Sequence, residues 1–220
     1  MGMKTVITLH DMKYVCPHYT ALNHGNLCSD CSNGRFYKAA VNKCHKDSFF
    51  YSTLIAIEMY FIKVFGILDK VDVFISPSQF LIDYYSDNGF PYKIKYVPNF
   101  LPDGSKKSNE TCNSSDYADC YLFVGRLSYE KGILTLIRAI RGTNRKLVIV
   151  GTGPLEGDIK SLISAYNLVD QVTMTGFLAS EQVHDLVKGA KGLIVPSEWY
   201  ENAPISILEA LAYGKVVIAS

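Results

Sequence analysis

The stretch YLFVGRLSYEKGILTLIRAIRGTNRKLVIVGTGP, residues 121–154, decides the fold. It opens on Tyr121-Leu122-Phe123-Val124, an apolar run of strand length that ends at Gly125-Arg126. After Gly132, apolar residues recur at Ile133, Leu136, Ile137 and Ile140, the spacing of one helix face. Leu147-Val148-Ile149-Val150 reads as the next strand and runs into Gly151-Thr152-Gly153-Pro154. It is apolar at every position, as expected of a parallel strand covered by helices on both faces.

The same alternation continues toward the C-terminus. A helix is predicted from Leu155 to Tyr166, then a strand Val172–Thr175 leading into Gly176-Phe177. A helix starts at Ser180, and the strand Gly192–Val195 leads into Pro196-Ser197. The last helix spans about Pro204 to Tyr213, before the strand-like run that begins at Val216. Toward the N-terminus, residues 101–118 are rich in Pro, Gly, Ser, Lys and Asn without a hydrophobic period, which marks a linker. Before it, the strand Thr5–Leu9 precedes His10-Asp11, and a loop rich in Cys, His, Asn and Gly spans 16–44. A helix follows over Ser48–Leu68, then a strand at Asp72–Ser76. Ser78 can cap a helix over Gln79–Asn88 that stops at Gly89, and Ile94–Val97 is a further strand. Alternating strands and helices predict an α/β chain of two Rossmann-like domains, 1–100 and 119–220. A parallel strand needs neighbours, and strand-like runs lie at both ends of the chain, so both domains are expected to be incomplete.

Bulk composition narrows the function. The formal net charge is +1, so no overall electrostatic attraction draws the chain to nucleic acid. Lys106-Lys107 sits in the linker and reads as a solvated loop. The most apolar helix, about Leu54 to Leu68, is broken by Glu58 and Lys63. It is too short and too charged to cross a bilayer, and reads as a core or membrane-surface helix. Met1-Gly2-Met3-Lys4 runs straight into a strand-like stretch, so a cytoplasmic chain is expected, with peripheral contact at the inner membrane face as an option. Asn109 and Asn113 head Asn-x-Ser/Thr sequences that carry meaning only in a secreted protein.

In open parallel sheets, ligands bind beyond the carboxyl ends of the strands. Here those ends hold Gly125, Arg126, Lys131, Gly151, Gly153, Ser197 and Glu201. Arg126 and Lys131 flank a turn that opens a helix, an arrangement that suits a diphosphate. Their competing reading is a surface pair bonded to Glu130 or another acid. The Gly151-Thr152-Gly153 turn lacks the full dinucleotide fingerprint and by itself marks only a tight turn. Glu201-Asn202-Ala203-Pro204-Ile205-Ser206-Ile207-Leu208-Glu209 sets one carboxylate before a helix and another inside it. Asn202 or Ala203 is the expected cap, with Pro204 in the first helical turn. Spacing alone also fits an ordinary amphipathic helix.

Taken in order, these motifs resemble family 4 of the retaining glycosyltransferases, which have the two-domain GT-B fold. The match runs through Gly125-Arg126-Leu127, Glu130-Lys131-Gly132, Gly151-Thr152-Gly153-Pro154, Gly176-Phe177, Pro196-Ser197 and the Glu201-to-Glu209 element. It extends to Thr8-Leu9-His10-Asp11, Cys16-Pro17, Ser76-Pro77-Ser78 and Val97-Pro98-Asn99. The resemblance implies that Arg126 and Lys131 hold the donor diphosphate, and that Glu209 binds the ribose hydroxyls. It implies that Glu201 contacts the transferred sugar, and that His10 lines the sugar pocket from the acceptor-side domain. Gly125 and Gly153 fall in the donor-binding turns, and Gly176 and Phe177 lie where such enzymes hold the base. Pro204 and Ile205 lie where backbone faces sugar and phosphate. A UDP- or GDP-sugar donor, a glycan or lipid-linked sugar acceptor and no required cofactor are implied, with retention of anomeric configuration. Relative to the family pattern, the first strands and glycine-rich acceptor loop are absent from this sequence, as is the segment after the last strand.

Cys16, Cys28, Cys31 and Cys44 have C-x11-C-x2-C-x12-C spacing, which fits a tetrahedral structural zinc; His18, His24 and His45 are substitute ligands. Reduced thiols are the other reading, and Cys112 and Cys120 look incidental. Two alternatives therefore stand beside a glycosyltransferase: a noncatalytic nucleotide-sugar-binding module and a zinc-stabilised interaction domain.

Overall fold

A computed structural model describes residues 2–101 and 119–220. The linker reading therefore lies, apart from Leu101, outside the described residues, as do Lys106, Lys107, Asn109, Cys112 and Asn113. The chain divides into two compact units, Met1–Asn99 with Trp199–Ala203, and Phe100–Glu198 with Pro204–Ser220.

In the second unit, the strands β6 (Cys120–Val124), β7 (Lys146–Val150), β8 (Val172–Gly176), β9 (Gly192–Val195) and β10 (Val216–Ala219) form one sheet in the order β10-β9-β6-β7-β8. Every pairing is parallel. The intervening helices are α4 (Ile133–Ile140), α5 (Glu156–Ala165), α6 (Ser180–Gly189) and α7 (Ile205–Ala212). Strand alternation sorts β7 between two cores. Leu147 and Ile149 pack with Ile133, Ile137 and Ile159 of α4 and α5, while Val148 and Val150 pack with Leu186, Val187 and Ala210 of α6 and α7. Burial on both faces explains why β7 has no polar residue after Lys146. Cys120 belongs to the second of these cores.

Two glycines hold the crossovers close. Gly132 joins the turn Tyr129–Lys131 to α4 with φ +63, and a side chain there would meet the Pro196 carbonyl oxygen. A Cβ at Gly153 would strike the Leu127 carbonyl.

In the first unit, β1 (Val6–Thr8), β4 (Val73–Ser76) and β5 (Ile94–Tyr96) form a parallel sheet in the order β1-β4-β5. The short strands β2 (Leu22–Asn23) and β3 (Asn26–Leu27) make an antiparallel hairpin. Helices α1 (Tyr37–Val41), α2 (Phe49–Val64) and α3 (Gln79–Asp87) complete it. The Ser78 hydroxyl caps α3 by accepting from the Leu81 N–H at 3.4 Å, and Gly89 follows α3 with φ +83. Leu9, Phe74, Leu81 and Tyr85 form the core beneath the sheet. α2 buries Ser52, Ala56 and Met59 while leaving Phe50, Leu54, Ile57 and Phe61 exposed. Among the described residues, no helix is long and apolar enough to cross a membrane.

The sequence alone keeps Trp199–Ala203 with 119–220, whereas in the structure the segment belongs to the first unit. Its packing explains the difference. The Tyr200 ring lies 4.9 Å from Phe80 and 5.8 Å from Tyr84, centroid to centroid. Asn202 Nδ2 donates to the Leu9 carbonyl at 3.3 Å, and Asn99 Nδ2 donates to the Ala203 carbonyl at 2.9 Å.

Candidate functional site

The carboxyl ends of β6, β7 and β8 meet at a cleft of about 500 Å³ in the second unit. Its walls include Gly125 and Arg126 after β6, Gly151, Gly153 and Pro154 after β7, and Phe177 after β8. Backbone bonds lock these turns together. The Gly125 N–H donates to the Val150 carbonyl at 3.0 Å, Leu127 N–H to Thr152 at 3.0 Å, and Gly151 N–H to Gly176 at 2.8 Å. Close approach of the turns leaves no room for a side chain at Gly151, where a Cβ would meet the Gly125 carbonyl. Arg126 is exposed, and the Phe177 ring is 80% exposed at the cleft wall. A cation, an exposed aromatic face and glycine turns can together hold an anionic ligand that carries a ring.

The cleft thus brings together Gly125, Arg126, Gly153 and Phe177. Lys131, Gly176, Pro204, Ile205 and Glu209 are not among its lining residues. Lys131 ends the turn Tyr129–Lys131, directly before Gly132 and α4. Its neighbour Glu130 accepts a bond from the Ser128 hydroxyl at 2.6 Å, while the Glu130 carbonyl accepts from the Glu198 N–H at 2.9 Å. Glu130 thus has a neutral partner in Ser128 beside it.

Around α7 the helix start differs from expectation. Pro204 is the N-cap, with extended backbone at ψ 129, and the helix begins at Ile205. Ala203 takes φ 49, a left-handed conformation uncommon for a residue with a side chain, and the cap falls after both expected positions, Asn202 and Ala203. Glu209 lies one turn into α7, half-buried, with its Oε1 3.2 Å from Nε2 of His184 on α6. Sequence reasoning missed His184. A single histidine on an amphipathic helix carries no local signal, since its meaning depends on the neighbouring helix.

Glu201 and His10 are residues of the first unit. His10 is exposed just beyond β1. It follows Leu9, whose carbonyl receives the Asn202 amide, and precedes Asp11, whose carboxylate accepts from the Lys13 N–H at 2.9 Å. Glu201 is therefore anchored through its neighbour Asn202 to the strand end that carries His10.

Cys16, Cys28, Cys31 and Cys44 line one cavity of about 10 Å³, and all four are free thiols. The zinc expectation finds no support here. Among the described residues, no three His, Cys, Asp or Glu side chains are arranged to hold a metal ion. Burial pushes Cys31 up to about 12 and Cys44 up to about 11, with neighbouring thiols adding to both, and burial also raises Cys16.

The parallel α/β architecture matches solved structures of the GT-B type of glycosyltransferase fold. An Anabaena protein, Alr3699/HepE, solved in complex with UDP-glucose, has this fold, with a TM-score of 0.65 at 18% identity over 98% of this chain and 53% of that one. Residues 110–220, half of the chain, match the family Glycosyl transferases group 1, and the chain belongs to that family. The alpha-D-kanosaminyltransferase of Streptomyces kanamyceticus is 36% identical over 103 residues, 44% of this chain and 26% of that protein. The lipopolysaccharide 1,2-N-acetylglucosaminetransferase of Salmonella typhimurium is 32% identical over 164 residues, 66% of this chain and 43% of that protein. The chain therefore spans less than half the length of these two transferases.

Proposed function

We propose that this chain carries the donor-binding part of a glycosyltransferase that moves a sugar from a nucleotide diphosphate to a hydroxyl acceptor with retention. The observation that carries this reading is the cleft at the ends of β6, β7 and β8, walled by Gly125, Arg126, Gly153 and Phe177. Relatives whose names specify sugar transfer support it, as does the fold shared with a protein solved with UDP-glucose. The donor is a UDP- or GDP-sugar, and the acceptor a glycan or lipid-linked sugar. The apolar stripe Phe50, Leu54, Ile57 and Phe61 on α2 suits peripheral contact with the lipid surface that would carry such an acceptor.

In this reading the Arg126 guanidinium and the Lys131 ammonium bind the diphosphate, and Phe177 with Gly176 borders the base. Glu209 accepts from the ribose hydroxyls. Pro204 and Ile205 face sugar and phosphate with backbone, and Glu201 and His10 contact the transferred sugar. The acceptor oxygen bonds to the anomeric carbon on the face from which the diphosphate departs. The breaking bond's electron pair leaves with the diphosphate, and the hydroxyl proton passes to the departing oxygen. The two cations stabilise the charge that grows on that oxygen, an effect commonly worth about a hundredfold or more in rate for one well-placed donor.

Calorimetric titration with UDP, GDP and their glucose, N-acetylglucosamine and mannose conjugates tests the binding step. One nucleotide series is expected to bind, and Arg126→Ala should weaken it about tenfold or more, the loss of a charge-assisted hydrogen bond. Glu201→Ala should weaken the sugar nucleotide more than the free diphosphate. Absence of binding by any of these donors, or indifference to both substitutions, would sink the reading. Product formation with a sugar acceptor separates a transferase from a module that only binds.

A further inference from the structure

The proposed function uses Glu209 but gives no task to the residue that holds it. His184 lies on α6 and Glu209 on α7, and the two helices pack together. His184 Nε2 stands 3.2 Å from Glu209 Oε1, and their side chains are 28% and 22% exposed. With its hydrogen on Nε2, the imidazole donates to the carboxylate. Its ring packs on Tyr213, centroids 6.0 Å apart, and the Lys188 ammonium lies 5.3 Å from the centre of the Tyr213 ring. Lys188 also reaches Asp185 at 3.4 Å on the same helix.

A glutamate that grips two adjacent hydroxyls must present both oxygens in one plane, and a free side chain must freeze three torsions to do so. A donor on Oε1 sets that plane in advance. It consumes one acceptor position and leaves the second lone pair of Oε1 and both of Oε2 for a ligand. We infer that His184 is a positioning residue that pre-orients Glu209 for the ribose hydroxyls of the nucleotide donor. This rests on the ribose role assigned to Glu209 in the proposed function.

The test compares UDP with 2′,3′-dideoxy-UDP by calorimetry on the 220-residue chain, with GDP and its dideoxy counterpart used if GDP binds more tightly. The unsubstituted chain is expected to prefer the ribonucleotide, and Glu209→Ala to abolish that preference. His184→Phe should lower ribonucleotide affinity about fivefold to tenfold, the cost of ordering a Glu209 side chain that is no longer held in advance, and leave dideoxynucleotide affinity within about twofold. His184→Gln, which keeps an N–H donor, should recover most of the loss. The His184→Phe/Glu209→Ala pair should bind like Glu209→Ala alone, because a residue that acts through another adds nothing once its target is gone. His184→Leu serves as the apolar variant if His184→Phe does not fold. If Glu209→Ala abolishes the preference but the apolar His184 variant keeps it, the positioning role is wrong while the ribose reading stands. Equal losses for both nucleotides in that variant overturn the positioning role as well. If Glu209→Ala leaves the preference intact, or neither nucleotide binds, the ribose reading fails and takes the inference with it.

Discussion

The two units solve chain reversal differently. In the second, five parallel strands are tied by helices, and its turns are tight because glycines let one backbone pass against another, as at Gly132 and Gly153. In the first, residues 19–47 run between β1 and α2 through only a short hairpin, β2–β3, and the five-residue helix α1, and left-handed residues with side chains gather there: Tyr19, Ala21, His24, Asn33, Lys43, Lys46 and Asp47. Among the described residues, only Asn167 and Ala203 share that conformation elsewhere. The second unit draws its order from local pattern, whereas the 19–47 segment is tied to α3 by long-range bonds, Ser32 Oγ to Asn88 Oδ1 at 2.5 Å and Tyr84 Oη to the Cys28 carbonyl at 3.4 Å.

The largest effect should come from the crossover turn. Gly132→Val combines a left-handed β-branched residue with a clash against the Pro196 carbonyl, and should cost about 4 kcal/mol in urea denaturation. Its counterpart Gly25→Ala in the first unit, at φ +80 with open space around the Cβ, should cost only about 1 kcal/mol. Equal losses would erase the distinction. Next comes packing. Ile137→Ala, at a fully buried position of α4, should lower stability by about 3 kcal/mol. Ile57→Ala on the 56% exposed face of α2 should change it by less than about 0.5 kcal/mol. A large loss at Ile57 would show that this face is covered.

A thiol whose folded value is raised contributes stability that is present below its ordinary value of 9.0 and lost as pH rises through the folded one. Cys31 and Cys44 should therefore weaken the first unit progressively from about pH 9 toward their folded values of about 12 and about 11. Double substitution Cys31→Ala/Cys44→Ala should flatten that decline in thermal melts above pH 9. At pH 8, iodoacetamide should modify Cys31 at least about tenfold more slowly in the folded chain than in urea, because the thiolate is the reactive form. Rapid labelling at Cys31 would mean that the cavity opens readily.

Legibility followed the same division. β7 and α4 could be read directly, since four successive apolar residues and the Ile133, Leu136, Ile137, Ile140 spacing each admit one arrangement in a two-faced sheet. Ser78 could be read as a cap because its hydroxyl serves an N–H three residues away. The cap of α7 lies at Pro204 rather than at Asn202 or Ala203, because the left-handed turn at Ala203 leaves no mark in composition. The cysteine spacing suggested a metal site, but spacing places four sulfurs in one neighbourhood without fixing their directions, and the ligating arrangement is not there among the described residues. Gly125, Arg126, Gly153 and Phe177 were placed at strand ends by the alternation alone, and they share one cleft.

By itself the sequence determined the parallel α/β class, the order of strands and helices in the second unit, and which turns carry glycine, cation and carboxylate. Each of these depends on residues within a few positions of one another, where period and steric limits act. Only the tertiary structure decided that Trp199–Ala203 packs with the first unit, through Tyr200 on Phe80 and Asn202 on Leu9, and that Glu209 has His184 for a partner. Those contacts join residues 25 to 193 positions apart, and no local rule of backbone or pattern reaches across such distances.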